Sequence, residues 1–128
     1  MRVLLDTHSF LWFITGDNRL SNRAKHLITD LSNQMLVSVA SLWEISIKTG
    51  MRKLTLSRPF EELIPEQLAL NEINQLPINL DHLAKLIYLP IHHLDPFDRL
   101  IIAQALVEEL PIISKDTAFQ AYSIEVIW

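Results

Sequence analysis

Four acids lie far apart in this sequence at positions where a carboxylate can do chemistry: Asp6, Glu44, Asp98 and Asp116. Asp6 ends the apolar run Val3-Leu4-Leu5, and Asp116 follows Pro111-Ile112-Ile113-Ser114. Asp98 stands one turn inside a segment opened by Asp95-Pro96, and Glu44 sits within Ser41-Leu42-Trp43-Glu44-Ile45. Gathered together, such carboxylates repel and shift one another's titration. A hard divalent cation relieves that repulsion, and all-oxygen donors favour Mg²⁺ or Mn²⁺ over Zn²⁺. Carboxylates holding such an ion are equipment for phosphodiester hydrolysis. The set has meaning only if the fold brings the acids together, so the elements that carry them come next.

Val3-Leu4-Leu5 reads as a short buried strand. Ser9 to Ile14 reads as a helix stopped by Gly16-Asp17-Asn18. A second helix starts near Ser21, with Ala24, Leu27, Ile28 and Leu31 on one face. Met35-Leu36-Val37 is the next buried strand, and a helix runs from Ser38 or Ser41 to about Lys48. Met51 to Arg58 is a basic connector that could hold a short strand at Lys53-Leu54-Thr55-Leu56. Phe60, Leu63, Ile64 and Leu68 have helical spacing, and Pro65 is expected to kink or restart that helix. Gln75 to Asn79 suggests a strand, followed by a helix capped by Asp81 that carries Leu83, Leu86 and Ile87. Asp95 as cap and Pro96 at the first helical position open a helix apolar nearly all round, which is expected to be buried. Leu110 to Ser114 reads as a strand, Asp116 to Tyr122 as a short helix or turn, and Ile124 to Ile127 as a last strand.

Apolar strands alternating with helices imply a three-layer α/β/α domain with a mostly parallel sheet. In an open sheet of that kind the ligand site lies outside the carboxyl ends of the strands. Asp6 and Asp116 follow strands directly, and Glu44 lies early in the helix leaving the second strand. Asp98 opens a helix that must run back from the same edge. Topology alone therefore places these acids on one rim.

Each acid also has a bland explanation. Asp6 could simply cap a helix. Ser41-x-x-Glu44 could be a capping box, and Glu44 to Lys48 is a favourable i,i+4 pair. Asp98 could complete a box with Asp95 or pair with Arg99, and Asp116 could be a turn residue. None of these accounts for a shared rim. Asp95 is assigned to the helix cap. His8, His92 and His93 have no helical ligand spacing among them, which disfavours a histidine metal site. His8 lies near the rim, where packing or hydrogen bonding competes with substrate contact. Lys48, Arg52, Lys53 and Lys115 could guide an anionic polymer, or be merely solvated. Trp12 and Trp43 read as core or interface residues.

Four segments stand in order along the chain: Leu5-Asp6-Thr7-His8, Ser41 to Lys48, His93 to Ala105, and Ser114-Lys115-Asp116-Thr117-Ala118-Phe119. Together they resemble the PIN-domain ribonucleases, specifically VapC-type toxins of bacterial toxin–antitoxin pairs. The resemblance spans nearly the whole chain, and it is the order and separation of the segments that make it specific. It implies that Asp6, Glu44 and Asp98 are the three core acids and Asp116 the fourth. It also implies that Thr7 and Ser114 are supporting hydroxyls. An RNA substrate, products with a 5′-phosphate and a 3′-hydroxyl, a homodimer and a cognate antitoxin whose tail covers the site are implied as well. Arg99 could then meet a scissile phosphate or an antitoxin carboxylate, with a structural ion pair as the equal alternative.

Other readings are weaker. A haloacid-dehalogenase-like phosphatase wants an acid two residues after the first, where His8 stands. A receiver domain wants paired acids at the end of the first strand, where Leu5-Asp6 offers one. A non-catalytic domain that binds metal, RNA or a peptide on the same rim is the alternative of another class.

Composition bounds the rest. With 128 residues, 49% of them hydrophobic and 20% charged, the chain suits a single globular domain covering residues 1–128. The absence of cysteine excludes disulfides, thiolate metal sites and a cysteine nucleophile. A formal charge of −4 argues against a broad basic nucleic-acid surface, though not against an enzyme that grips a phosphodiester through metal. Met1 to Asp6 lacks a signal-like apolar stretch, and no run would span a bilayer. The expectation is a cytoplasmic protein without a membrane partner.

Overall fold

In the computed structural model, which describes residues 1–128, five strands form one all-parallel sheet in the order β3-β2-β1-β4-β5. They are β1 (Arg2–Leu5), β2 (Gln34–Ser38), β3 (Ile73–Leu76), β4 (Ile112–Ile113) and β5 (Val126–Ile127). The register pairs Leu5 with Val37 on one side and with Ile113 on the other. Strand order reverses between β1 and β4, so the crevice of the fold opens at their carboxyl ends.

Successive strand residues point to opposite faces. Val3, Leu5, Met35, Val37 and Ile113 enter one core, while Leu4, Leu36 and Ile112 enter the other. The first core is covered by α1 (Thr7–Thr15), α2 (Asn22–Thr29) and α4 (Phe60–Leu70) through Phe10, Ala24, Ile28 and Ile64. The second is covered by α5 (Leu80–Ile87), α6 (Pro96–Glu108) and a 3₁₀ helix (Thr117–Tyr122). Between them, α3 (Val39–Gly50) sends Leu42 and Ile45 to the first core and Ala40 to the second. The expected three-layer α/β/α architecture is what forms.

The local signals that start helices α1, α2 and α6 act as their chemistry dictates. Asp6, Ser21 and Asp95 accept N–H bonds from the first turns of α1, α2 and α6. Gly16 closes α1 at φ +67°, a left-handed conformation that only glycine adopts without penalty. Leu100 to Ala105 are all buried, so α6 is the central helix its composition requires.

Five details differ from the sequence reading. Residues 53–56 form no strand: the N–H groups of Lys53 and Leu54 turn back to the Lys48 carbonyl, and Leu54 and Leu56 tuck against the first core. Pro65 does not end α4, which runs on from Phe60 to Leu70 with that proline on its exposed side. The third strand lies at Ile73–Leu76 rather than at 75–79, its buried ends flanking polar Asn74 and Gln75. Helix α5 is capped by Asn79, not Asp81, because His82 returns the bond: Asn79 Oδ1 accepts the His82 N–H and His82 Nδ1 accepts the Asn79 N–H. Leu31, expected on the α2 face, lies beyond that helix and is exposed. No helix is long and apolar enough to cross a membrane.

Candidate metal centre

Asp6 follows β1 directly and is buried. Its Oδ1 caps α1 by accepting the Ser9 N–H at 2.8 Å, and its Oδ2 accepts the Ser114 hydroxyl at 2.6 Å. The capping reading of Asp6 holds, and its second oxygen is left to Ser114. Burial pushes its carboxyl above the usual range, against the pull of those hydrogen bonds. Ser114, just after β4, also accepts the Asp116 N–H at 2.9 Å. One hydroxyl therefore ties the two strand ends together across the switch point.

Glu44 is buried on α3, held from two sides. Its Oε1 lies 3.0 Å from Thr7 Oγ1, which in turn lies 2.9 Å from Ser41 Oγ. A carboxylate can only accept, so the Thr7 proton goes to Glu44 and Ser41 faces Thr7 as donor. The other oxygen, Oε2, accepts from Lys48 Nζ at 2.7 Å. The i,i+4 pair foreseen for Glu44 and Lys48 exists, and it raises the lysine pKa. The Ser41–Glu44 capping box does not form, since α3 starts at Val39 under a Ser38 cap and places Ser41 inside the helix.

Asp98 opens α6, and Asp95 Oδ1 accepts its backbone N–H at 3.0 Å. The two acids are separated as expected: Asp95 caps, and the Asp98 carboxyl faces the rim. Its pKa is pushed up to about 7, first by burial and then by Asp95, with Glu44 and Asp6 adding repulsion and His93 opposing it. Asp116 caps the 3₁₀ helix through Oδ1 and the Ala118 N–H, leaving Oδ2 to His93 Nε2 at 3.0 Å. The same nitrogen lies 3.2 Å from Asp98 Oδ2. His93, Asp98 and Asp116 bring their polar atoms within 4.8 Å of one another.

The donor set fits a hard cation. Asp98 and Asp116 share one cluster with His93, Asp6 is tied to Asp116 through Ser114, and Glu44 is bonded to Thr7, the residue after Asp6. Asp98 holds its proton to about neutrality. The cation that pairs with them, Lys48, lies at the outer edge on Glu44.

Other sequence candidates fall elsewhere or into different work. Arg99 makes no ion pair with Asp98; its guanidinium donates to the carbonyls of Pro90 at 3.0 Å, Leu89 at 3.3 Å and His93 at 3.4 Å. His8 is exposed and lies against Trp12, ring centroids 5.6 Å apart, beside the Lys48 end of a groove between α1 and α3. Trp43 is not a core residue: it is 56% exposed and meets Phe97 edge to face. His93 was legible only as a residue with the wrong spacing for a metal ligand. Its neighbour two residues on, the capping Asp95 whose N–H reaches back to it, was the available signal.

The PIN domain family model matches residues 3–125. Three solved structures share the fold. VapBC2 from Rickettsia felis, bound to a DNA fragment from its promoter, is 15% identical, with a TM-score of 0.74 over 100% of this chain and 99% of that one. A toxin–antitoxin complex from Klebsiella pneumoniae is 21% identical, TM-score 0.67, over 98% and 96%. VapBC-1 from nontypeable Haemophilus influenzae is 18% identical, TM-score 0.68, over 99% and 97%. No curated protein matches the sequence. A parallel sheet with Asp6 and Ser114 joined at the ends of β1 and β4, matched by the family model from β1 to the residue before β5, makes this chain a member of the PIN-domain family of nucleases.

Proposed function

We propose that the chain is a metal-dependent endoribonuclease, the VapC-type toxin of a toxin–antitoxin pair. The observation that carries this reading is the linked rim: Ser114 joins Asp6 to Asp116, and His93 joins Asp116 to Asp98. Asp6, Glu44, Asp98 and Asp116 are the residues that would hold one or two Mg²⁺ or Mn²⁺ ions, with Thr7 and Ser114 fixing two of the carboxylates. Bound there, a hard divalent cation supplies an activated water and neutralises charge growing on the leaving oxygen.

The chain's own residues do the rest. Asp98, partly protonated near neutral pH, would have to give up its proton to hold a cation there. Thr7 and Lys48 hold the two oxygens of Glu44 in place. The groove between α1 and α3, lined by His8, Trp12, Lys48 and Lys53, offers an approach to that rim for an anionic chain. The structural neighbours are toxins in complex with antitoxins, which supports a cognate antitoxin as partner here. An exposed apolar stripe on α5 supports a homodimer.

Incubation of the purified protein with structured RNAs tests the reading. Cleavage is expected with Mg²⁺ or Mn²⁺, none with chelator, and products should carry 5′-phosphates. Asp98→Asn should lower the rate by about 100-fold or more, the cost of removing a preorganised charged group at a reacting centre. RNA bound but never cut would establish the binding domain instead. Cleavage unaffected by chelator or by Asp98→Asn would refute the metal-dependent mechanism.

A further inference from the structure

Residues 88–95, between α5 and α6, have no regular structure, yet they are fastened from two sides. Tyr122 Oη accepts the N–H of His92 at 2.9 Å and that of His93 at 2.7 Å. From the other side Arg99 holds the carbonyls of Leu89, Pro90 and His93. Backbone held this way leaves the His93 ring little freedom, and the ring packs against buried Phe119 with centroids 5.7 Å apart.

The two ring nitrogens have different partners. Nδ1 lies 3.2 Å from the backbone nitrogen of Asp95, whose N–H can only donate. Nδ1 must therefore present its lone pair, and the ring carries its proton on Nε2. Nε2 is the nitrogen set against Asp116 Oδ2 at 3.0 Å and Asp98 Oδ2 at 3.2 Å. A protonated ring nitrogen has no lone pair to give a metal. Position alone would make His93 a ligand; its other hydrogen bond makes it a donor.

We propose that His93 is a positioning residue of the acidic rim, an Nε2–H donor bridging Asp98 and Asp116 so that their free lone pairs converge on a cation whose ligands are all oxygen. The inference rests on the metal-centre reading above. It assigns work to three residues outside the ligand set: Asp95, Arg99 and Tyr122 fix the loop and the tautomer that make His93 a donor. Groups that orient ligands in this manner typically contribute 10–100-fold to metal affinity.

Mn²⁺ binding followed by electron paramagnetic resonance tests this on wild type, His93→Ala, His93→Gln and Asp98→Asn. Wild type should bind Mn²⁺ without a directly coordinated nitrogen signal. His93→Ala should bind about 10-fold more weakly or worse. His93→Gln, which retains an N–H donor, should recover most of that loss, and Asp98→Asn should bind poorly. A coordinated nitrogen that disappears in His93→Ala would make His93 a ligand, and unchanged affinity in His93→Ala would deny it any positioning role. Either result overturns the inference and leaves the metal centre standing. Wild type that binds no Mn²⁺ overturns the metal-centre reading itself. Nitrogen-15 spectra of the histidine rings in unaltered, metal-free protein give an independent check: the His93 proton belongs on Nε2, and its presence on Nδ1 would sink the proposal.

Discussion

A carboxyl buried beside other acids keeps its proton to higher pH, and Asp98 keeps its own to about 7 where an unfolded aspartate releases it near 3.8. Between those values the folded chain binds more protons than the unfolded one, so stability falls as pH rises through that window and stays low above it. The effect is on the order of a few kcal/mol. In chelator, the wild-type melting temperature should therefore decline from about pH 4 to about pH 7. Asp98→Asn should flatten that decline and exceed wild type at pH 8, while added Mg²⁺ should restore wild type alone. Parallel melting curves for the two proteins would show that Asp98 is not strained. An activity-reducing change that stabilises the fold is the usual mark of a site whose charges are held for function. At this scale the sequence was readable where a residue's work depends on near neighbours: Asp95 caps and Asp6 ends a strand. It was opaque for Arg99, whose three carbonyl partners lie in a loop that no periodicity describes.

Helix α6 shows how one element serves both packing and chemistry. Six consecutive buried residues, Leu100 to Ala105, anchor it in the second core. Its mouth then holds Asp98 at the carboxyl edge of β1 and β4. Gln104 ties the middle of the helix down, meeting the Ser38 hydroxyl and donating to the Pro77 carbonyl at 3.2 Å. Strong signals of this kind, an all-round apolar helix under an Asp-Pro cap, are legible because they are local. The third strand was placed two residues late because Asn74 and Gln75 face outward on an edge strand, where apolar periodicity fails. The α4 helix does not restart at its proline: Pro65 sits on an exposed side, and packing by Leu63 and Ile64 carries the helix past it. Asp95 allows cap and charge to be separated. Asp95→Ala should cost about 1 kcal/mol in denaturant unfolding through the lost cap. Asp95→Asn, which keeps an accepting oxygen, should stay near wild type in stability, and it should lower the pKa of Asp98, since Asp95 is the largest charge raising it. Equal destabilisation by both substitutions would show that the carboxylate charge, not the cap, supports α6.

The molecule as a whole leaves one surface unexplained by a single copy. Leu80, Leu83 and Ile87 follow one another along α5 at i, i+3 and i+7, and all three are exposed. Tyr88, Ile91 and Leu94 extend the exposed apolar residues toward the mouth of α6, Leu94 being 82% exposed. Periodicity correctly identified this helix but not the direction of its apolar side, because Leu86 and the buried His82 make the inward face instead. An apolar stripe of this extent on a chain of net charge −4 is where a second copy is best placed. A twofold interface sets the same patch against itself, so one substitution acts twice. Leu83→Glu with Ile87→Glu should then convert a dimer into monomers in sedimentation equilibrium, because four carboxylates would face each other in a buried setting. The double variant should retain the wild-type Mn²⁺ affinity, since neither side chain touches the rim. A wild-type chain that sediments as a monomer, or a variant that stays dimeric, would remove α5 from the interface.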